Sequence, residues 1–341
     1  MKAIGYLKSL DISHQESLID IDLPTPTPTG RDLLIKVNAI SVNPVDTKVR
    51  VRAQPENGEH KVLGWDAVGE VIDAGDQAQF YQKGDKVWYA GDITRPGTNS
   101  EYHLVDERIV GRQPQSVSDA EAAAFPLTAI TAWELLFDRL GFEQSTTADK
   151  TGRQQLLIVG AAGGVGSILV QLASQLTDAV VIGTASRPES QAWVTELGAD
   201  FVIDHRKPLS EELKRIGIDN VTHVASLNAT EQHYDEIIES LAPQGKLALI
   251  DDPQSPLDIM KLKMKSISLH WEFMYTRSMF NTDDIEKQRD LLNSIADLID
   301  AGRIKTTLGD HYGQINAENL KRAHANLESG SAIGKIVLEG F

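Results

Sequence analysis

The chain has 341 residues, of which 41% are apolar and 24% charged, and its 49 acidic against 33 basic side chains leave a formal charge of −16. Such a surface repels phosphate backbones and anionic lipid, so neither a nucleic acid nor a membrane partner is expected. With no cysteine in the sequence, disulfides, thiolate metal sites and a cysteine nucleophile are excluded. The first eight residues are too polar and interrupted for a signal peptide, and no uncharged apolar run approaches the roughly 18 residues of a membrane span, so a cytoplasmic location is expected.

The length suits about two domains. After a Pro-Thr-rich turn at 24–30, strand candidates lie at 32–42, 68–72, 86–89 and 101–105, broken by Gly-Asp or Asn/Ser turns, which reads as a β-rich, barrel-like domain over 1–125. The pattern then changes. Helical stretches near 119–140 and 164–176 flank a strand at 155–160, followed by strand 179–184, helix 188–197, strand 200–203, a helix near 208–216 and strand 221–226. Helix 231–240 and strands 245–250 and 266–271 complete an alternating series, which predicts a parallel, doubly wound sheet over 126–275. Beyond it, a helix at 284–301, the segment 304–307 and a strand at 335–338 predict a return of 276–341 to the first domain.

The strand at 155–160 runs into Ala161-Ala162-Gly163-Gly164-Val165-Gly166 and then an apolar-periodic helix. That order of strand, glycine turn and helix is the setting of a dinucleotide-binding turn. Small residues let the backbone approach a pyrophosphate, and the helix N-terminus offers N–H groups and partial positive charge. Against the G-x-G-x-x-G fingerprint the first glycine is Ala161. An acid usually marks NAD preference about 20 residues further on. Here the second strand instead ends in Ser186 and Arg187, a hydroxyl and a guanidinium fork that suit a 2′-phosphate, so NADPH is the expected cofactor.

Six segments in this order and spacing resemble the medium-chain dehydrogenase/reductase superfamily, in its zinc-free quinone oxidoreductase-like branch, whose members often bear the label zinc-type alcohol dehydrogenase-like. They are 41–46 (Ser-Val-Asn-Pro-Val-Asp), 63–71 (Leu-Gly-Trp-Asp-Ala-Val-Gly-Glu-Val), 83–88 (Lys-Gly-Asp-Lys-Val-Trp), 126–132 (Pro-Leu-Thr-Ala-Ile-Thr-Ala), 161–166 and 334–338 (Gly-Lys-Ile-Val-Leu). The resemblance spans essentially the whole chain. It implies an α/β protein in which a GroES-like β-barrel-type catalytic domain is interrupted by a Rossmann domain, with the active site in the cleft between them. In the zinc alcohol dehydrogenases the positions matching Asn43 and Trp65 are cysteine and histidine ligands. The other cysteine ligands are also missing, and no two histidines have helical ligand spacing, so although His60, Glu59 and Asp46 include metal-binding types, no metal is expected.

Without a Lewis acid, hydride transfer suits an acceptor that disperses negative charge, namely a quinone or an α,β-unsaturated carbonyl. The resemblance further implies that Thr128 and Gly163 to Val165 hold the nicotinamide ribose and pyrophosphate, that His205 packs on the adenine, and that Asn228, Asp251 and Phe273 sit on cofactor loops. Lys335 would reach the cofactor from the returning segment. Asn43 is the candidate donor to the substrate oxygen, Trp65 and Phe273 candidate pocket walls, and Tyr89 and Tyr275 candidate proton relays. Asn43 before Pro44 also suits a plain turn, Trp65 a core, and Asp46 and Asp66 loop anchoring. The cluster Trp271-Phe273-Tyr275 suits either a pocket or a subunit interface in the expected homodimer or homotetramer. Two other readings stay open: a non-catalytic NADPH-binding redox sensor, and an alcohol dehydrogenase with an atypical zinc site.

Overall fold

The computed structural model describes residues 1–55, 57–145 and 154–341. Two compact units emerge, Met1–Ile130 with Tyr275–Phe341, and Thr131–Met274. These boundaries differ from the expected 125/126 and 275/276 because the first falls inside a helix that opens at Pro126.

In chain order the first unit begins with β1 (Lys2–Tyr6), β2 (Ile19–Asp22), β3 (Asp32–Val42), α1 (Pro44–Arg52), β4 (Lys61–Val62), β5 (Ala67–Ala74), β6 (Lys86–Tyr89), β7 (Tyr102–Asp106) and β8 (Val110–Arg112). Then come α2 (Asp119–Ala123) and α3 (Pro126–Trp133). The second unit contributes β9 (Gln155–Val159), α4 (Gly164–Leu176), β10 (Val180–Thr184), α5 (Pro188–Glu196), β11 (Phe201–Ile203), α6 (Leu209–Arg215), β12 (Val221–Ser226), α7 (Thr230–Ser240), β13 (Leu241–Leu249) and β14 (Ser268–Trp271). The chain returns to the first unit through α8 (Thr276–Phe280), α9 (Lys287–Asp300), β15 (Leu308–His311), α10 (Ala317–Glu328) and β16 (Lys335–Glu339).

In the first unit the main sheet runs β15-β16-β3-β5-β6-β8, with β7 also on β3, beside a small sheet β2-β1-β4. Its interior is filled by Ile35, Val68, Val71 and Trp88, all fully buried. The returning β16 is antiparallel to β3 with Ile336 opposite Val42. That register brings Lys335 to the end of β3, where α1 begins.

In the second unit all six strands are parallel, in the order β11-β10-β9-β12-β13-β14. Counted from β9 this is the doubly wound order 3-2-1-4-5-6, whose direction reverses beside β9. Leu157, Val224 and Leu247 of neighbouring strands pack in one cluster with Ile237 and Leu241, as expected for strands covered on both faces.

Four local expectations change. The helical stretch 119–140 is three pieces, because Pro126 lacks the N–H that would continue α2 and instead opens α3. Past α3 the turn loosens into a π-helix, Glu134–Arg139. Strand 245–250 begins earlier, at Leu241, with a register break on β12 where Gln244 takes a positive φ of 65°. The strand at 266–271 is shortened at its start by a 3-10 helix, Ile259–Lys265. Among the described residues no helix is long and apolar enough to cross a membrane.

Candidate active site

The glycine turn of the second unit is built by three glycines with different tasks. Gly160, at the end of β9, takes a φ of +85°, and a Cβ there would lie 2.5 Å from Asn228 Oδ1. Its N–H donates to the buried Thr184 Oγ1 at 3.1 Å, which ties the turn to β10. Gly166 packs so closely that a Cβ would lie 2.4 Å from Gly160 O and 2.6 Å from Ala161. Around Gly163 there is room, the nearest atom to a Cβ being Gly160 O at 3.5 Å. Gly163 caps α4 without any side-chain acceptor, so no cap side chain satisfies the first N–H groups of this 13-residue helix. The tight-turn role expected at Ala161 falls on Gly160, one residue earlier. Ala161 is fully buried, its methyl 3.0 Å from the position of a Cβ on Gly183, so its side chain packs under the turn instead of lining it.

Around this turn the other expected cofactor residues separate into two groups. Ser186 is half-buried and Arg187 exposed at the end of β10, where Arg187 caps α5 and Ser190 Oγ donates to its carbonyl at 2.9 Å. His205 follows β11, half-buried, its ring 6.0 Å from that of His233. Burial holds the His205 pKa below the ordinary value, so a neutral flat ring is available for stacking. Asn228 and Phe273 are exposed. Asp251 behaves differently: its carboxylate accepts from Thr230 N at 2.9 Å and from the Thr230 hydroxyl, so it clamps the start of α7.

In the first unit the start of α1 is an ionic knot. Asp66 Oδ2 accepts from Ser41 Oγ at 2.6 Å, Asn43 Nδ2 at 2.7 Å and Lys335 Nζ at 3.1 Å, while Oδ1 accepts from Leu127 N at 2.7 Å. The last bond places the carboxylate at the N-terminus of α3, where the helix dipole favours it. Lys335 Nζ donates also to Asn43 Oδ1 and to Val42 O at 3.2 Å, so its three hydrogens all have acceptors. Burial lowers the Lys335 pKa, opposed by the Asp66 carboxylate beside it. Asp46, at the third position of α1, accepts from Asn43 N at 2.6 Å through Oδ2.

The surroundings of several candidate residues differ from those expected. Asn43 is 1% exposed and holds Lys335 and Asp66 with its amide, so it does not present an open donor. Lys335, 3% exposed, is turned into the same knot and not outward to a cofactor. Trp65 is 1% exposed, donates Nε1–H to Asp92 O at 3.2 Å, and meets Tyr275 edge-on at 6.2 Å between centroids; it is core, not pocket wall. Tyr89 is fully buried with its hydroxyl 3.0 Å from His103 Nδ1, and His103, pushed down to about 4 by burial, bonds Pro96 O through Nε2. That pair closes on itself. Tyr275 is 2% exposed, its pKa raised by burial and by the acids Asp46, Asp66 and Asp92. Thr128 is buried, its hydroxyl donated back to Phe125 O at 3.0 Å. Ser41, Asp66 and Gly160 were not foreseen as site residues; for Gly160 the strand-ending position was a usable signal, for the others the sequence offered none.

A zinc ion does not fit these residues. Of the two ligand-matching positions, Asn43 offers only an amide already bound to an ammonium and an acid, and Trp65 is a donor without a lone pair to give. The oxygens that remain, on Asp66 and Asn43, surround the positive charge of Lys335. Among the described residues no group of three or more His, Cys, Asp or Glu side chains is placed to hold a metal ion.

Comparison with known proteins sets this geometry in context. Residues 29–115 match the family model for the alcohol dehydrogenase GroES-like domain, and residues 197–338 that for zinc-binding dehydrogenases. A zinc-type alcohol dehydrogenase-like protein of Staphylococcus epidermidis is 37% identical over 338 residues, covering 99% of both chains. A Rhizobium etli protein described as a candidate zinc-dependent alcohol dehydrogenase superposes with a TM-score of 0.95 at 52% identity, over 100% of this chain and 98% of that one. The Escherichia coli quinone oxidoreductase in complex with NADPH superposes with a TM-score of 0.83 at 25% identity, over 99% of this chain and 100% of that one.

Proposed function

The chain belongs to the medium-chain dehydrogenase/reductase superfamily, and from that premise we propose an NADPH-dependent reductase that passes hydride to quinones or to activated α,β-unsaturated carbonyl double bonds without a catalytic metal. The observation that carries this reading is the knot of Asn43, Asp66 and Lys335, which fills with an internal ammonium the place where zinc relatives keep ligands. A simple ketone would gather full charge on one oxygen with no Lewis acid to receive it. A quinone or enone spreads that charge, so a few hydrogen-bond donors suffice.

When bound, NADPH supplies the hydride. The turn from Gly163 to Val165 at the start of α4 suits its pyrophosphate: the N–H of Gly163 is donated to Gly160 O at 3.2 Å, the open space over Gly163 admits a phosphate, and Gly164 and Val165, the first two residues of α4, supply the N–H groups. Ser186 and Arg187 suit the 2′-phosphate and His205 the adenine. The likeness to an NADPH-bound quinone oxidoreductase supports the choice of cofactor. A homodimer through the edge strand β14 completes the reading, since Trp271 and Phe273 at that edge are 55% and 47% exposed; light scattering at a monomer mass would remove it.

The test is oxidation of NADPH against NADH with an ortho-quinone and a simple enone, on metal-stripped protein. Turnover that survives chelation and favours NADPH is expected. Tight NADPH binding with no turnover of either acceptor would replace the reductase by a sensor, and activity restored only by zinc would overturn the metal-free mechanism.

A further inference from the structure

Two histidine rings of the second unit meet, His205 and His233, 6.0 Å apart between centroids and inclined at 69°, the edge-to-face arrangement that flat rings favour. Both are half-buried. Two other histidines spend ring nitrogens on the protein, His103 on Tyr89 and Pro96 and His223 on Thr222. Among the described residues the ring nitrogens of His205 and His233 take no hydrogen bond, so the contact between the rings sets how they lie.

The pair stands where a parallel sheet takes its ligands. His205 follows β11 and His233 lies in the first turn of α7, past β12. Both connections leave the carboxyl ends of strands, outside which open α/β sheets bind. The connection after β12 is tied to the glycine turn: Leu227 N–H donates to Val159 O at 3.1 Å, and a Cβ on Gly160 would lie 2.5 Å from Asn228 Oδ1. Ala229 then takes a left-handed φ of 52°, strain that a residue with a side chain keeps only where its surroundings impose it. Its carbonyl accepts from His233 N at 3.2 Å. The helices have a fastening of their own. Glu236, one turn further along α7, accepts from Ser210 N at 3.1 Å and from Ser210 Oγ at 3.0 Å and joins the start of α6 to α7. What the His233 ring adds is the orientation of His205.

We propose that His233 is a positioning residue of the cofactor site: its ring holds that of His205 in the orientation in which the adenine base stacks on it. This rests on the NADPH reading above, in which His205 is the residue that touches the base. A histidine side chain free to turn about two bonds gives up that freedom when a base stacks on it, and the loss weakens binding. Edge-on contact with His233 removes most of that freedom beforehand. Burial, the largest influence on each ring, lowers both pKa values. On the alkaline side of neutrality both rings are therefore neutral, and their contact carries no like-charge repulsion.

The probe is 2′,5′-ADP, which carries the adenine and the 2′-phosphate but no nicotinamide, titrated calorimetrically into the full-length protein at pH 8. His205→Ala should bind it roughly 10- to 100-fold more weakly than the wild type, the size of one base–ring stack. His233→Ala should lose roughly 3- to 10-fold, the cost of immobilising one side chain. The double variant should bind no more weakly than H205A, because the second ring acts only through the first. His233→Phe should recover most of the loss. Wild-type affinity in H233A, or losses that add in the double variant as separate structural damage does, would overturn the proposal. Nuclear Overhauser contacts in the wild type read the same arrangement without a substitution. Adenine protons should meet those of the His205 ring, and the His233 ring should meet His205 and not the base. Contact of His233 with the base, or none between the two rings, would overturn the proposal even if H233A fails to fold. A wild type that does not bind 2′,5′-ADP, or binds it with no contact from His205, would instead sink the cofactor reading and the role of His233 with it.

Discussion

The glycine turn of the second unit and the ionic knot of the first are both functional candidates, yet they are encoded in different ways. The turn is contiguous: Gly160, Gly163 and Gly166 lie within one strand-to-helix connection, and each glycine answers to a local steric demand. The knot is assembled from four segments, and its Lys335 and Asn43 are 292 positions apart. A local motif can be read from spacing alone. A dispersed one exists only after β16 has paired with β3 and α3 has pointed its N-terminus at Asp66.

The largest expected effect tests whether the knot is one object. Asp66→Ala removes the carboxylate that gathers four donors and leaves the Lys335 ammonium buried with only neutral oxygens. Removing one member of a buried pair costs about 3–5 kcal/mol. Urea denaturation should show a loss of that size in D66A, and Lys335→Met in the same background should recover at least half of it. Additive losses in the double variant would mean that the two residues act separately, and the knot would dissolve as a unit.

The second prediction sharpens the local side of the comparison. In Gly166→Ala the new methyl would lie 2.4 Å from Gly160 O and 2.6 Å from Ala161, against backbone that cannot yield cheaply. A loss of about 1–3 kcal/mol is expected, together with NADPH binding. Gly163→Ala meets nothing nearer than 3.5 Å, so its thermal midpoint should hold while NADPH affinity falls. If both variants lose stability alike, Gly163 is a packing glycine and the space above it is not a phosphate cradle.

These contrasts explain what could be read from the sequence. The parallel sheet was legible because strands and helices alternate with distinct periods, and its order β11-β10-β9-β12-β13-β14 is the doubly wound one. Pro126 was visible but its consequence was missed: a run of helix formers on both sides of it looked continuous, while the absent N–H splits it. At the site, Asn43 and Lys335 could be singled out but their bond to each other could not, since nothing in a sequence reports that two polar side chains satisfy each other. The polar atoms of Trp65 and Tyr89 are committed in the same hidden way, to Asp92 O and His103.

The third prediction concerns a residue whose role the sequence proposes and the fold leaves exposed. Arg187 stands at the end of β10 beside Ser186. A charge-assisted bond to a 2′-phosphate contributes about 1.5–3 kcal/mol, so Arg187→Ala should weaken NADPH binding roughly 10- to 100-fold and leave NADH binding unchanged. Titration calorimetry with both cofactors decides it; equal losses for the two would remove the 2′-phosphate assignment.

A last effect comes from a second place where two carboxyls share one cation. In the second unit Glu272 and Glu134, 2% and 1% exposed, both approach Arg139, whose Nε lies 2.8 Å from Glu272 Oε2. Burial first, and then the Glu134 carboxylate, push Glu272 up to about 9, with Arg139 opposing. A carboxyl raised in the folded state binds a proton that the unfolded chain has released, so its contribution is full below the ordinary value of 4.5 and is lost as the pH rises to about 9. Across that window the stability of the wild type relative to Glu272→Gln should fall as the pH rises. Urea midpoints at intervals between these limits measure it, and parallel curves would show that Glu272 is ionised and that counting charges in a buried cluster misleads here.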